Sequence, residues 1–346
     1  MSQALSAFAM MGFIRKRLPR ITIVCGGGLV TSWMNIPKLG NPFAGLVDQM
    51  VCGPGESRLT EMCTGRKGIE PTITGYDFSC NEPDRYLSPV HVMPYSTSRG
   101  CYWKKCAFCP ETAEDASYST GTPQALVEDL RQVAAHHSTG LIHFLDNALS
   151  PRLLGHLIDH PPGVPWYGFA RVTRHLTDPG FVSGLKTSGC VMLKLGVESG
   201  DQDVLDALGK GIHIDTVSRA LETIHQAGIA TYVYLLFGTP AEDEHSAAKT
   251  LNFTLGHASF IDFLNLAIFN LPAYSDEADS LDTVDFYEGD LSLYREFIHP
   301  MGWSRERVRR FLSKAFKRPA AIRAILNNDP PFFTSNHAPF FNMKNS

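Results

Sequence analysis

The chain has 346 residues, 44% of them hydrophobic and 19% charged, with a formal net charge of −4. That is enough apolar material for one large α/β domain plus smaller pieces, and the slight acidity excludes a general affinity for nucleic acid or anionic membranes. No apolar run is long enough to span a bilayer.

The opening stretch MSQALSAFAMMGFIRKRLPR runs from apolar to basic, the reverse of a secretory signal, and lacks a small-residue cleavage site. It reads as an internal helix of a cytoplasmic protein. Within residues 1–70, the strand-like run Ile21-Thr22-Ile23-Val24-Cys25 ends in Gly26-Gly27-Gly28. A second run, Leu46–Val51, ends in Gly53-Pro54-Gly55-Glu56, and a helix candidate follows at Ser57–Cys63. Strands that stop at glycines let the backbone approach a ligand or a helix closely. The region therefore reads as part of a Rossmann-like α/β domain, with too few strands to stand alone. Residues 71–89 form a polar, proline-containing linker.

Residues 90–285 alternate strand and helix patterns. Strands are predicted at Val90–Pro94, Leu141–Asp146, Trp166–Ala170, Val191–Val197, Thr231–Leu236 and Ile261–Ala267. Thr122 is positioned to cap a helix that begins with Pro123 and shows Leu126, Leu130 and Val133 on one face. Asp215 is positioned to cap another that stops at Gly228. Six alternating units imply parallel pairing and fit three-quarters of a β/α barrel better than a closed eightfold one.

Residues 286–346 form a small helical extension. A helix starts near Ser304, carrying Arg305, Arg307, Arg309, Arg310, Lys314, Lys317 and Arg318 opposite Val308, Phe311, Leu312 and Phe316. A solvated face on a docked helix is the favoured reading, with contact to RNA as the other. The tail 329–341 is rich in Phe and Pro and reads as packing on the barrel, which would bring Asn336 and His337 near its mouth.

Of the eight cysteines, five are scattered singly in apolar or glycine-rich surroundings, as small buried hydrophobes are. The other three cluster after the first barrel strand, in Ser98-Arg99-Gly100-Cys101-Tyr102-Trp103-Lys104-Lys105-Cys106-Ala107-Phe108-Cys109-Pro110. Three thiolates on one loop suit one face of a [4Fe–4S] cubane, leaving the fourth iron open for a ligand. A zinc knuckle would need a fourth protein ligand, for which His91 and Glu111 are the nearby candidates. A redox pair at Cys106 and Cys109 would leave Cys101 unexplained.

A cysteine loop after the first strand of a six-unit partial barrel resembles the radical S-adenosylmethionine (SAM) superfamily. The C-x4-C-x2-C spacing is one residue longer than the usual C-x3-C-x2-C, as in subgroups beginning Cys-Tyr-Trp. The resemblance covers about residues 20–285 and implies that Cys101, Cys106 and Cys109 ligate the cluster. It also implies a SAM site at the strand ends. Phe108 occupies the position of the aromatic whose backbone meets adenine. Gly196-Val197-Glu198-Ser199-Gly200 resembles the Gly-x-Glu-Ser-Gly segment that faces the ribose or amino group, through Glu198 and Ser199. Gly238 begins the turn near the adenine. Asp146 and Asn147 stand where the methionine amine is held, although the usual Gly-Gly-Glu is absent, and Arg171 is placed to pair with the SAM carboxylate.

The implied activity is reductive cleavage of SAM to a 5′-deoxyadenosyl radical. The implied partners are a small-molecule or peptide substrate and an electron donor such as flavodoxin or ferredoxin, with no membrane and no nucleic acid. No catalytic side chain is assigned. The glycine-rich runs in 1–70 resemble the second half of a cobalamin-binding domain, as in the subgroup that carries this module, here truncated. This tilts the reaction toward methylation or a related modification of a peptide or natural product. No Asp-x-His-x-x-Gly segment is present to ligate cobalamin, so a vestigial cap is weighed above a bound cobalamin. The rival from another class is a non-catalytic iron–sulfur or zinc-binding protein that holds RNA on its basic helix.

Overall fold

The computed structural model describes residues 4–34, 41–66, 75–76, 78, 88–114, 117–273, 275–285 and 293–329. The chain forms two compact units: Met1–Thr72 with Pro272–Tyr274 and Asp285–Arg295, and Ile73–Leu271 with Ser275–Val284 and Glu296–Ser346. The predicted features at Asn336, His337 and the rest of 330–346, and most of the 71–89 linker, lie outside the described residues.

In the first unit, short strands Val24–Cys25 and Gln49–Met50 pair in parallel. Helices Ala4–Arg17, Gly28–Met34 and Glu56–Thr64 accompany them. The opening stretch is thus a helix, though it has no fully buried residue. Phe8, Trp33 and Phe43 pack their rings together, with centroids 4.5 to 6.3 Å apart. The Asp48 carboxylate accepts from Ile23 N at 2.7 Å and meets Arg15 at 2.5 Å. These two partners, the backbone one foremost, hold its carboxyl below the usual range.

The second unit is built on six parallel strands: β1 Val92–Tyr95, β2 Leu141–Leu149, β3 Trp166–Ala170, β4 Cys190–Glu198, β5 Ala230–Phe237 and β6 Phe263–Ile268. Each pairs with its sequence neighbour, so the order across the sheet is β6-β5-β4-β3-β2-β1. The predicted strands all appear, β3 with its bounds unchanged. The helices between them are α1 Pro123–His136, α2 Pro151–Asp159, α3 Pro179–Thr187, α4 Gln202–Ala207, α5 Ile214–Gln226 and α6 Glu244–Gly256.

The first three helices start alike. Thr122, Ser150 and Asp178 each accept a backbone N–H of the first turn, and proline occupies the first helical position, where no hydrogen bond is lost. The fifth departs from expectation. Its cap is His213, with no side-chain bond, and Asp215 sits inside the first turn, where a negative charge still suits the helix dipole.

Strand alternation divides the core in two. Phe144, Trp166, Leu193, Leu195, Val233 and Phe237 pack outward against Leu130, Leu157, Leu185 and Leu221 of the helices. Leu141, Tyr167, Met192, Tyr232 and Phe263 form a separate inner cluster. That inner cluster comes from the starts of the strands, so it plugs the amino-terminal end of the lumen. The functional end of a parallel barrel is the other one, where the strands finish.

The carboxy-terminal segment docks as an apolar face should. Ser304 caps α7, Arg305–Phe311, which continues through one wide turn, Leu312–Phe316, before α8, Ala320–Leu326. Val308, Leu312 and Phe316 are buried, and the Phe316 ring meets Phe237 edge-on at 5.2 Å. On the polar side Arg307 pairs with Glu244 and Arg310 with Glu306, both pairs exposed to solvent.

Truncating Phe316, whose side chain is wholly buried, should lower the unfolding free energy by about 3–5 kcal/mol. Urea unfolding of Phe316→Ala followed by tryptophan fluorescence measures this, and an unchanged midpoint would show that the segment is not part of the core.

Candidate functional site

The cysteine loop leaves β1 and is pinned at its root from below. Asp146 of β2 is buried and accepts from Thr97 N at 3.0 Å, Thr97 Oγ1 at 2.6 Å and Ser98 Oγ at 2.5 Å. This places Asp146 differently from the sequence expectation. It continues the helix-facing row of Ile142 and Phe144 rather than pointing into the lumen, and its oxygens are engaged by the loop root. Its neighbour Asn147 is exposed and donates to Gly100 O at 3.3 Å, so it too secures the loop. The pairing of β2 with β3 shifts register between Phe144 and Leu149, an irregularity of the kind that re-aims side chains beside sites.

From above, the loop is gripped by residues 208–211, which follow α4. Ala107 N donates to Leu208 O at 3.0 Å, and Trp103 Nε1 to Gly209 O at 3.1 Å. Arg171, at the end of β3, donates through Nη2 to Lys210 O at 2.5 Å and Gly211 O at 3.2 Å. Its guanidinium lies 3.8 Å from the centre of the Trp103 ring, a stacked cation–π contact. Gly209 and Gly211 both have positive φ (61° and 62°), and a Cβ at either would strike Lys105 O or the Trp103 ring. Only glycine permits this approach.

Charge converges on the thiols. Burial pushes the Cys106 thiol up, while Lys210 and Arg171 pull it back down. Burial likewise raises Cys109, against the backbone N–H groups of Glu111 and Thr112 that favour its thiolate. Lys210 in turn pairs with Glu198 at 2.9 Å, both side chains nearly buried. Glu198 reaches inward from a left-handed backbone (φ 67°), an unusual conformation for a non-glycine residue. Gly196, two residues earlier, makes room: a Cβ there would lie 2.5 Å from Glu198 Oε1 and 2.8 Å from Lys210 Nζ.

The other predicted residues separate into those at the mouth and those behind it. Phe108 is half-buried, packed beside Phe269 and Leu271, with Lys210 Nζ 5.6 Å from its ring centre. Ser199 is wholly buried and turned away, 3.1 Å from Thr250 Oγ1 of α6 and accepting from Asp201 N. It shapes the turn rather than facing a ligand. Gly238 has positive φ and faces Val308 of α7. Its N–H goes to Glu242 Oε2 at 2.5 Å, which also accepts from Trp303 Nε1 at 3.0 Å. Arg171 is buried at the mouth beside Cys106, and its Nη1 has no hydrogen-bond partner within ordinary geometry among the described residues. Sequence reasoning missed the Trp103–Arg171 stack and the role of Lys210. The signal for the latter was a lysine between two glycines just after a strand-end glutamate.

Among the described residues, no three His, Cys, Asp or Glu side chains converge as ligands of one metal ion. A cubane holds its corner ligands further apart than a single ion does, and three half-buried thiols on one loop with cations beside them suit its donor set.

Residues 95–254 match the family model described as Radical SAM superfamily. The matched segment runs from the end of β1 into α6. Over 163 residues the chain is 26% identical to the anaerobic magnesium-protoporphyrin IX monomethyl ester cyclase of Rubrivivax gelatinosus, covering 45% of this chain and 28% of that protein. Among solved structures it resembles the radical SAM methyltransferase TsrM of Kitasatospora setae, determined with cobalamin and a [4Fe–4S] cluster. The TM-score is 0.58 at 18% identity, covering 80% of this chain and 60% of that one. It also resembles the cobalamin-dependent SAM radical enzyme OxsB, with a TM-score of 0.61 at 14% identity, covering 85% of this chain and 54% of that one. These likenesses show the fold. The chain spans 60% or less of the length of each of the three. No helix among the described residues is long and apolar enough to cross a membrane.

Two outcomes follow from this geometry. Gly211→Ala should displace Trp103 and the loop, lowering the iron bound after anaerobic reconstitution several-fold while far-UV circular dichroism stays unchanged. Full iron loading would refute the grip. Separately, burial raises the Glu242 carboxyl to about 7. Because its folded value lies above the unfolded one, the contribution of this group to stability is fully present below about pH 4.5 and is lost as pH rises through 7, by up to roughly 3 kcal/mol. Urea midpoints across that range should flatten in Glu242→Gln, and an unaltered pH slope would contradict this.

Proposed function

We propose that Cys101, Cys106 and Cys109 hold a [4Fe–4S] cluster with SAM at its open iron, and that the chain uses the pair to modify a small molecule or peptide. The observation that carries this reading is the thiol loop itself, set at the carboxyl ends of the strands and gripped by two cation-bearing segments. When bound, the cluster and SAM supply one-electron cleavage of a sulfur–carbon bond of SAM and thereby a 5′-deoxyadenosyl radical.

The chain's own residues bind and orient. Lys210 and Arg171 favour the thiolate form that ligation requires. The buried Nη1 of Arg171, without a hydrogen-bond partner among the described residues, supplies a donor for the SAM carboxylate. Glu198, held by Lys210 and aimed inward, faces the ribose or amino group. Phe108 and the Gly238 turn border the adenine. Fixing SAM in this way lowers the entropic part of the barrier.

Methylation or a related modification is the reaction we assign, with a flavodoxin or ferredoxin as electron donor. It is supported by the likeness to a structure described as a radical SAM methyltransferase. This sequence carries no Asp-x-His-x-x-Gly segment, and no step is given to cobalamin.

Anaerobic reconstitution with iron, sulfide, dithionite and SAM should yield 5′-deoxyadenosine, and Cys106→Ala should reduce it at least a hundredfold. A cluster that loads but leaves SAM intact would end this reading.

A further inference from the structure

Below the mouth, the lumen holds a buried cation that none of the roles above uses. Lys194 of β4 is 4% exposed, and it lies on the inward row with Met192 and Gly196. Its ammonium is 3.2 Å from His143 Nε2 of β2. Burial and the nearby Lys194 charge push His143 down to about 3, so its ring is neutral at pH 7 and Nε2 accepts. The other neighbours of Lys194 are the rings of Tyr167 and Phe169, with centres 5.2 and 5.3 Å from Nζ. Among the described residues no carboxylate faces it.

An ammonium has three donors, and here one is answered by a ring nitrogen while two aromatic faces take the rest of the charge. A buried charge without a counter-ion is costly, and burial lowers the Lys194 ammonium to about 8, which leaves it mostly protonated at pH 7. The wall around it is aromatic. Phe169 and Tyr234, half-exposed, are 4.9 Å apart centre to centre, and Tyr232 lies 4.8 Å beyond. The lumen stays open above this layer, since Leu145, one inward step beyond His143 on β2, is 50% exposed.

We propose that Lys194 is a substrate-binding residue that pairs with the carboxylate of a small aromatic acid seated in the lumen against the Phe169 and Tyr234 rings. This deepens the function proposed above and rests on its placing of SAM at the mouth. The missing counter-ion is then the substrate's own, and the contacting rings of Phe169 and Tyr234 pack against one side of its apolar body. Desolvation makes such a pair selective, because a neutral isostere would leave the ammonium unanswered.

The test uses phenylacetate as probe and phenylacetamide as its neutral counterpart, on the full chain before and after cluster reconstitution. Ligand-observed NMR titration should show saturable binding of phenylacetate and at least tenfold weaker binding of the amide. Lys194→Met should weaken phenylacetate at least tenfold, while Lys194→Arg, which keeps the charge, should restore most of it. Thermal unfolding of Lys194→Met should occur at or above the wild-type midpoint, because an unpaired buried charge has been removed, so lost binding is not lost folding. Equal binding of acid and amide, binding unaffected by Lys194→Met, or no saturable binding would each overturn the proposal. Because the probe is read without SAM turnover, its failure is distinct from a failure to form 5′-deoxyadenosine.

Discussion

The cysteine loop belongs to no long hydrogen-bonded ladder, so its shape is imposed by what grips it. Beneath it the Asp146 carboxylate collects three donors from Thr97 and Ser98. Above it the backbone of 208–211 comes close enough to exchange hydrogen bonds with Trp103, Ala107 and Arg171. Both grips are short-range and depend on geometry more than on area. Such contacts hold three thiols at one spacing far better than apolar packing could, because hydrogen bonds to fixed carbonyls specify direction as well as distance.

The electrostatics are layered along the lumen. At the mouth, Arg171 and Lys210 pull against the burial that raises the Cys106 thiol. Glu198 answers Lys210 within the same layer. Deeper down, Lys194 has a neutral histidine and aromatic faces for neighbours, and the strand starts below it are closed by Leu141, Met192 and Phe263. Positive charge therefore decorates an otherwise apolar lumen at two depths. Its walls are parallel strands whose backbone groups are taken up in the sheet, so side chains carry nearly all of its chemistry.

Much of the barrel was legible from the sequence because strands in parallel sheets are continuous apolar runs, and helix starts carry local signals. Thr122-Pro123 predicted a helix start that the structure contains. Local signals also explain the misses. Asp215 looks like a cap by residue type, but one position decides whether a side chain faces the orphan N–H groups or lies past them. Asp146 and Ser199 sit at strand ends where ligand contacts gather, yet pleating turns Asp146 outward, and the left-handed backbone at Glu198 precedes a turn that buries Ser199 against α6. Lys194 was hidden inside an apolar strand. A lone lysine flanked by Leu193 and Leu195 was its only trace, and sequence alone could not place His143, fifty-one residues away, beside it.

Gly196 carries a consequence for how this mouth can change over time. The glycine is bare because the Glu198–Lys210 pair fills the volume a methyl group would need. A lineage that kept the pair could put no side chain at 196, and one that gained a side chain there would have to part with the pair. The three positions can drift only as a set. Among descendants of this sequence they should appear in matched combinations, with the intermediate steps the rare ones.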